Sequence, residues 1–241
     1  YEAMFKDIST QLKGLFHTKH EVLTYPCSGT GAMEAAIVNF FSPGDKVLVV
    51  SIGVFGDRLG EIATAYGLQA EKIAVEWGQA ADPAVLAGRL AEDTIGEIKG
   101  VLMTHNETST GVTNDIAALA NAKGDHPALL IVDAVSALGA IPMRMDDWGV
   151  DVVITGSQKA LMIPPGLGFM ALNERAWAAY QKSTLPKFYW DAQKVKKSLE
   201  KGQNPYTPPV SLLFGLQESL KMIAEEGEAA IAARHELLAQ A

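Results

Sequence analysis

Lys159 closes the run Asp151-Val152-Val153-Ile154-Thr155-Gly156-Ser157-Gln158-Lys159, an apolar strand-like stretch that ends in a small polar turn. An amine delivered from the carboxyl end of such a strand, with no positive neighbour, is set up to form a Schiff base rather than to solvate a surface. Leu129-Leu130-Ile131-Val132-Asp133 is a second apolar run, and it ends in a carboxylate. The interval between Asp133 and Lys159 suits one strand-loop-strand unit of a parallel sheet, which would bring acid and amine to one crevice. Together they meet the needs of pyridoxal 5'-phosphate, whose aldehyde is held by a lysine and whose ring nitrogen is kept protonated by an acid. Taken singly, Asp133 reads as a turn or helix cap and Lys159 as an exposed loop lysine.

A phosphate seat supports the pair. Ser28-Gly29-Thr30-Gly31 precedes Ala32-Met33-Glu34-Ala35-Ala36-Ile37, a strong helix former. Small residues at a helix start let backbone amides approach an anion, and the helix dipole favours negative charge there. Simple capping explains the same turn equally well. A dinucleotide site fits less well, because Glu34 stands where the third glycine of G-x-G-x-x-G belongs and no apolar strand is evident immediately ahead of Ser28. Phe55 follows the Val47–Ser51 strand between Gly53 and Gly56. An aromatic on such a loop can lie against a pyridine ring, or serve as a lid packed on the core. The hydroxyl-rich segment Thr104–Gly111 follows another strand and could reach the cofactor's phenolic oxygen. His105 within it reads as structural more readily than as a base. His17, His20 and His126 sit in exposed-looking stretches, and no spacing suggests a metal.

Strand-like runs at 47–50, 100–104, 129–132, 151–155 and 168–172 alternate with helical patterns at 31–41, 57–66, 83–90, 114–122 and 173–180. That rhythm predicts an α/β fold with a mostly parallel sheet covered by helices on both faces. From Lys182 to Pro209 the pattern breaks into a polar passage, and 211–226 reads as one long helix. The expected organisation is a cofactor-binding large domain over 1–209, its first helix partly an N-terminal extension, and a helix over 210–241 leading to a small C-terminal domain that the chain does not include. Tyr1 in place of an initiator Met leads to the further expectation that a natural N-terminal piece is missing. A net charge of -8 without a basic block argues against nucleic acid or an anionic membrane as partner. No apolar run approaches the length of a membrane span. A single cysteine, Cys27, rules out an intrachain disulfide and any multi-cysteine metal or iron–sulfur cluster, and it fits a reducing, cytoplasmic setting.

Four segments carry a family resemblance that runs through nearly the whole chain: Ser28-Gly29-Thr30-Gly31, His105-Asn106-Glu107-Thr108-Ser109-Thr110-Gly111-Val112, Val132-Asp133-Ala134-Val135-Ser136-Ala137-Leu138-Gly139, and Gly156-Ser157-Gln158-Lys159-Ala160 with Pro164-Pro165-Gly166. The chain resembles the class V aminotransferases of the fold type I pyridoxal enzymes, and within them the alanine- and serine-glyoxylate group. It is most similar to the cyanobacterial-type members, some of which are called soluble hydrogenase small subunit. The resemblance implies that Lys159 holds the cofactor and shuttles a proton. Asp133 would pair with the ring nitrogen, Val135 would pack on one ring face and Phe55, often Trp in relatives, on the other. Thr108 would reach the phenolic oxygen, while Ser28, Gly29, Thr30 and Gln158 would hold the phosphate. Asn204-Pro205-Tyr206-Thr207-Pro208-Pro209 is similar to a segment that reaches the partner's phosphate in a homodimer, with Thr207 well matched and Asn204 standing where some relatives have Tyr.

The implied reaction moves an amino group from a small amino acid such as alanine or serine to a 2-oxo acid such as glyoxylate. A lyase or desulfurase of the same family, or a non-catalytic subunit of a redox complex, are the competing readings. None of Arg58, Arg89, Arg144, Arg175 and Arg234 matches the family's substrate-carboxylate arginine, which is expected beyond Ala241.

Overall fold

Three neighbouring runs of branched and aliphatic residues have every side chain buried, and in a strand successive side chains point to opposite faces. Such strands require a sheet covered on both sides. The computed structural model, which describes residues 1–240, contains that sheet. Its strands are β1 (Val22–Tyr25), β2 (Lys46–Ser51), β3 (Gln69–Ala74), β4 (Ile98–Thr104), β7 (Leu129–Asp133), β8 (Val152–Gly156) and β9 (Gly168–Leu172), with a separate small hairpin of β5 (Asn106–Glu107) and β6 (Val112–Thr113). The seven-stranded order is β1-β9-β8-β7-β4-β2-β3. β3, β2, β4, β7 and β8 are mutually parallel, while β9 is antiparallel to both β8 and β1. The carboxyl ends of β1, β2, β4, β7 and β8 therefore share one edge, and every β-to-loop exit along it faces the same crevice.

The helices are α1 (Glu2–Phe16), α2 (Gly29–Phe40), α3 (Val54–Ala65), α4 (Pro83–Ala91), α5 (Ile116–Lys123), α6 (Glu174–Tyr180), α7 (Ala192–Leu199), α8 (Val210–Glu226) and α9 (Glu228–Gln240). Local chemistry sets many of their ends. Asp82 caps α4 by accepting from the Ala84 amide with Pro83 in the first turn, Asp115 caps α5 by accepting from Ala118, and Asn173 caps α6 by accepting from Ala176. α2 lies along β8 and β9, α3 lies along β2, β3 and β4, and the two helices touch. α8 buries Leu213, Leu216, Leu220 and Ile223 and packs against α1.

Several elements depart from the sequence reading: the β5/β6 hairpin is absent from it, and the helix expected over 210–241 breaks at Gly227, φ 82°, into α8 and α9. β1 does immediately precede Ser28, with all four residues buried. It is too short for alternation to show and is held by pairing with β9. β3 is an edge strand of mixed exposure whose Gln, Glu and Lys hide its strand character. The polar passage after Lys182 contains α7, which Asp191 caps by accepting from the Gln193 and Lys194 amides, and which buries only Ala192, Val195 and Leu199.

Asp151 ties the sheet to α6. It is fully buried, accepts from the Leu130 amide at 2.8 Å and from the Asn173 side-chain amide at 2.8 Å, and has the Arg175 guanidinium 3.5 Å away. Asp151→Ala leaves two donors without partners and should cost about 3 kcal/mol in urea unfolding of the cofactor-free protein; a loss below about 1 kcal/mol would show that water accepts from both donors in its place.

Candidate active site

Asp133 is the last residue of β7. Its register partners are Thr104 on β4 and Ile154 on β8, so it stands in the middle of the crevice edge. It is 4% exposed, and its Oδ1 accepts one hydrogen bond, 2.8 Å from the Val135 amide. Burial pushes its pKa up to about 7; the Val135 hydrogen bond pulls it down, the Glu107 charge pushes it up, and Arg58 and Lys159 pull it down. No ion pair to Asp133 forms among the described residues.

Lys159 lies three residues beyond β8 on an exposed turn, and its charge reaches Asp133. The turn has its own supports. Ser157 Oγ donates to the Pro164 carbonyl and accepts from the Leu167 amide, Ser219 Oγ on α8 donates to the Leu161 carbonyl, and Met162 takes φ 55°. A left-handed methionine is costly for a residue with a side chain, and such strain persists where the surroundings over-determine it.

The β1 exit supplies the start of α2. Ser28 is its N-cap in extended backbone, yet its hydroxyl makes no capping hydrogen bond. Gly29 is buried against Val135, and a Cβ built on it would lie 2.8 Å from Val135 Cγ2. A Cβ on Gly156 would fall 2.9 Å from Gln158 Oε1 and 3.2 Å from the Gly29 amide nitrogen. Gln158 Oε1 is itself buried without a hydrogen-bond partner. Thr207 borders an open groove together with Cys27 and Ser28 of the same chain. Asn204 is engaged elsewhere, accepting from the Tyr1 hydroxyl and donating to the Thr24 carbonyl.

Phe55 is in the first turn of α3 rather than on a free loop, because α3 begins at Val54. Arg58, one turn further, stacks its guanidinium 4.7 Å from the centre of the Phe55 ring and reaches Thr30 Oγ1 at 3.4 Å. Sequence reasoning grouped Arg58 with the other helical arginines. In the fold Arg89, Arg144, Arg175 and Arg234 each pair with a carboxylate, and Arg58 pairs with none among the described residues. Thr108 is exposed in the loop between β5 and β6. Glu107 beside it is fully buried and was given no role by sequence.

His105 is buried with its ring edge-on to Trp148, and burial pulls its pKa down to about 4, so it is a neutral packing residue. His20 and His126 are not exposed: their side chains are 13% and 10% accessible and lie beside carboxylates. Cys27 is pushed up to about 12 by burial, which leaves it a thiol at neutral pH. A desulfurase nucleophile must be a thiolate, so that reading finds no support in Cys27.

The sequence model described as Aminotransferase class-V matches residues 2–241. The chain belongs to the class-V aminotransferases. Among curated relatives it is 50% identical over 235 residues to a protein named soluble hydrogenase, small subunit, of a Synechococcus species, covering 95% of this chain and 60% of that one. It is 41% identical to L-aspartate–glyoxylate aminotransferase of Paracoccus denitrificans, covering 94% of this chain and 58% of the relative. Among solved structures, alanine–glyoxylate aminotransferase from a Nostoc species superposes with a TM-score of 0.91 at 31% identity, over 97% of this chain and 62% of that one. The class-V chain thus spans about 60% of the length of the relatives it matches. Its mostly parallel sheet with helical cover matches that of fold type I aminotransferases.

The raised pKa of Asp133 has a stability consequence. Between its unfolded value near 3.9 and its folded value of about 7, the folded protein holds a proton that the unfolded chain has released. Its contribution is complete below about pH 4 and is lost as pH rises through 7. Cofactor-free Asp133→Asn should therefore gain on wild type by on the order of 3–4 kcal/mol between pH 4 and pH 8 in urea titrations; parallel pH profiles for the two proteins would refute it.

Proposed function

We propose that this class-V chain binds pyridoxal phosphate and takes part in moving an amino group from a small amino acid to a 2-oxo acid such as glyoxylate. The observation that carries the reading is a buried acid with no ion-pair partner, set on the same strand edge as an exposed lysine whose charge reaches it. A pyridinium nitrogen is the kind of cation that would hold Asp133 ionised in so dry a place, and Asp133 would keep that nitrogen protonated. The rest of the edge suits the same molecule. Gly29 and Gly156 leave bare backbone where a side chain would intrude, and Ser28 has a free hydroxyl at a helix start. Turning the Gln158 amide presents its NH2 where an unpartnered oxygen is now placed.

When bound, pyridoxal phosphate supplies an aldehyde that takes up an amino group and a ring that accepts the electron pair left by a departing α-proton. The protein's residues do the rest. Ser28, Gly29, Thr30 and Gln158 would bind the phosphate, Val135 and Phe55 would hold the ring, and Thr108 would donate to the phenolic oxygen. Lys159 Nζ would hold the aldehyde and, once freed by the substrate amine, would take up the α-proton and hand it on. Residues 1–209 are the domain that provides these groups, and α8 leads from it. A twofold homodimer in which Thr207 reaches the partner's phosphate completes the proposal.

Two relatives bear the soluble hydrogenase name. Hydrogenase metal centres need several thiolates, and one cysteine held as a thiol cannot supply them. Protein incubated with pyridoxal phosphate, one of alanine, serine or aspartate, and glyoxylate should form glycine and the matching 2-oxo acid. Lys159→Ala should remove the borohydride-sensitive absorbance of bound cofactor and lower turnover by about 10²–10⁴-fold. A reducible band that persists in Lys159→Ala would move the bond to another lysine and sink the assignment.

A further inference from the structure

α3 starts without a side-chain cap. Its N-cap is Gly53, so the first amides of the helix lack the usual local acceptor. Glu107 supplies one from the other side of the crevice. Its Oε2 accepts from the Phe55 amide at 3.0 Å and the Gly56 amide at 3.1 Å. Its Oε1 accepts from the Ser109 amide at 3.1 Å and the Ser109 hydroxyl at 2.7 Å, and Ser109 Oγ in turn accepts from the Val54 amide at 3.1 Å. Four donors converge on two oxygens that accept only, inside a residue with no solvent exposure. Carboxylates alone among side chains offer that pattern. Gly53 is part of the same device, since a Cβ there would lie 2.5 Å from both Glu107 Cγ and Ser109 Oγ.

The two segments joined in this way are the first turn of α3, which carries Phe55 and Arg58, and the loop between β5 and β6, which carries Thr108. We infer that Glu107 is a positioning residue that clamps the Phe55 turn to the Thr108 loop and so sets the width and tilt of the slot for the pyridine ring. The inference rests on the pyridoxal phosphate reading of the site. Glu107 does not touch the reacting atoms. It fixes two backbone segments that would, and its negative charge also bears on Asp133. Misplacement of such groups by an ångström is enough to weaken binding or turnover many-fold.

Glu107→Gln keeps the shape but turns one acceptor-only oxygen into an NH2 that faces two donors. Gly53→Ala leaves Glu107 intact and pushes it from its seat. Ser109→Ala removes two of the clamp's links and is the mildest change. The probe is pyridoxal phosphate itself, titrated into cofactor-free wild type and variants, with visible circular dichroism of the bound ring and hydrogen exchange at the Phe55 and Gly56 amides as companion readouts. Expected are a Kd raised roughly tenfold or more in Glu107→Gln and Gly53→Ala, a smaller rise in Ser109→Ala, a changed visible dichroic band, and faster exchange at the two amides in the cofactor-free protein. If Glu107→Gln fails to fold, the other two variants carry the comparison. Wild type that takes up no pyridoxal phosphate overturns the cofactor reading. Wild-type uptake with unchanged Kd and dichroism in folded variants overturns the clamp alone.

Discussion

A buried carboxyl group without a counter-ion is the constraint around which this crevice is organised. Asp133 has one amide donor, from Val135, and stands in register between the ends of β4 and β8. Burial outweighs the pull of Arg58 and Lys159, so the acid is held half-protonated near neutrality. A fold selected for stability alone would place an apolar residue at the end of β7, as it does at every other position of that strand. Local rules broken at one point of an otherwise consistent strand mark a site rather than a defect.

The acid and the amine are treated differently by the scaffold, and the difference has a chemical reason. Asp133 is inside the sheet register, where its position is fixed by strands on both sides. Lys159 is three residues past the strand on a turn that contains the left-handed Met162 and is tied back by Ser157 and Ser219. In the proposed role, a group that would stay beside a ring nitrogen needs rigidity. A group that, as proposed, would alternate between holding a ligand and moving a proton needs reach, which four methylenes on an exposed turn provide.

Much of this was legible in the residues. β7 and β8 announce themselves by unbroken apolar runs ending in Asp133 and near Lys159, and the parallel sheet follows from strands alternating with helices. The failures have specific causes. β1 has too few residues for a period to emerge, β3 carries edge chemistry, and α7 is a helix with only three buried positions. Glu107 was named only as part of a motif, and Arg58 only as a helical cation. Their relations across segments, Glu107 to the Phe55 amide and Arg58 to Thr30, join segments brought together by the order β4-β2 and the contact of α2 with α3. No periodicity in one segment encodes a hydrogen bond to another. The hint that was available is negative: Gly53 offers no cap where α3 begins, which asks for an acceptor from elsewhere.

The relatives that share this chain's likeness are named for different amino donors, aspartate, serine and (S)-ureidoglycine, at 31–41% identity. Overall similarity therefore does not select among them. The physical reason lies in what the central pair can sense. In the proposed roles, an amine exchanging with the α-amino group and an acid steadying a ring nitrogen would act on atoms common to every amino acid, so they would be blind to the donor's side chain. Discrimination must come from groups that reach past the α-carbon, and it works best through polar groups that a wrong substrate would leave unpaired. At this edge of the sheet Arg58 is the arginine without a carboxylate among the described residues, held in place by Phe55 and Thr30. Its guanidinium is anchored through the same first turn of α3 whose amides Glu107 accepts from, so the setting of that turn governs where this cation lies.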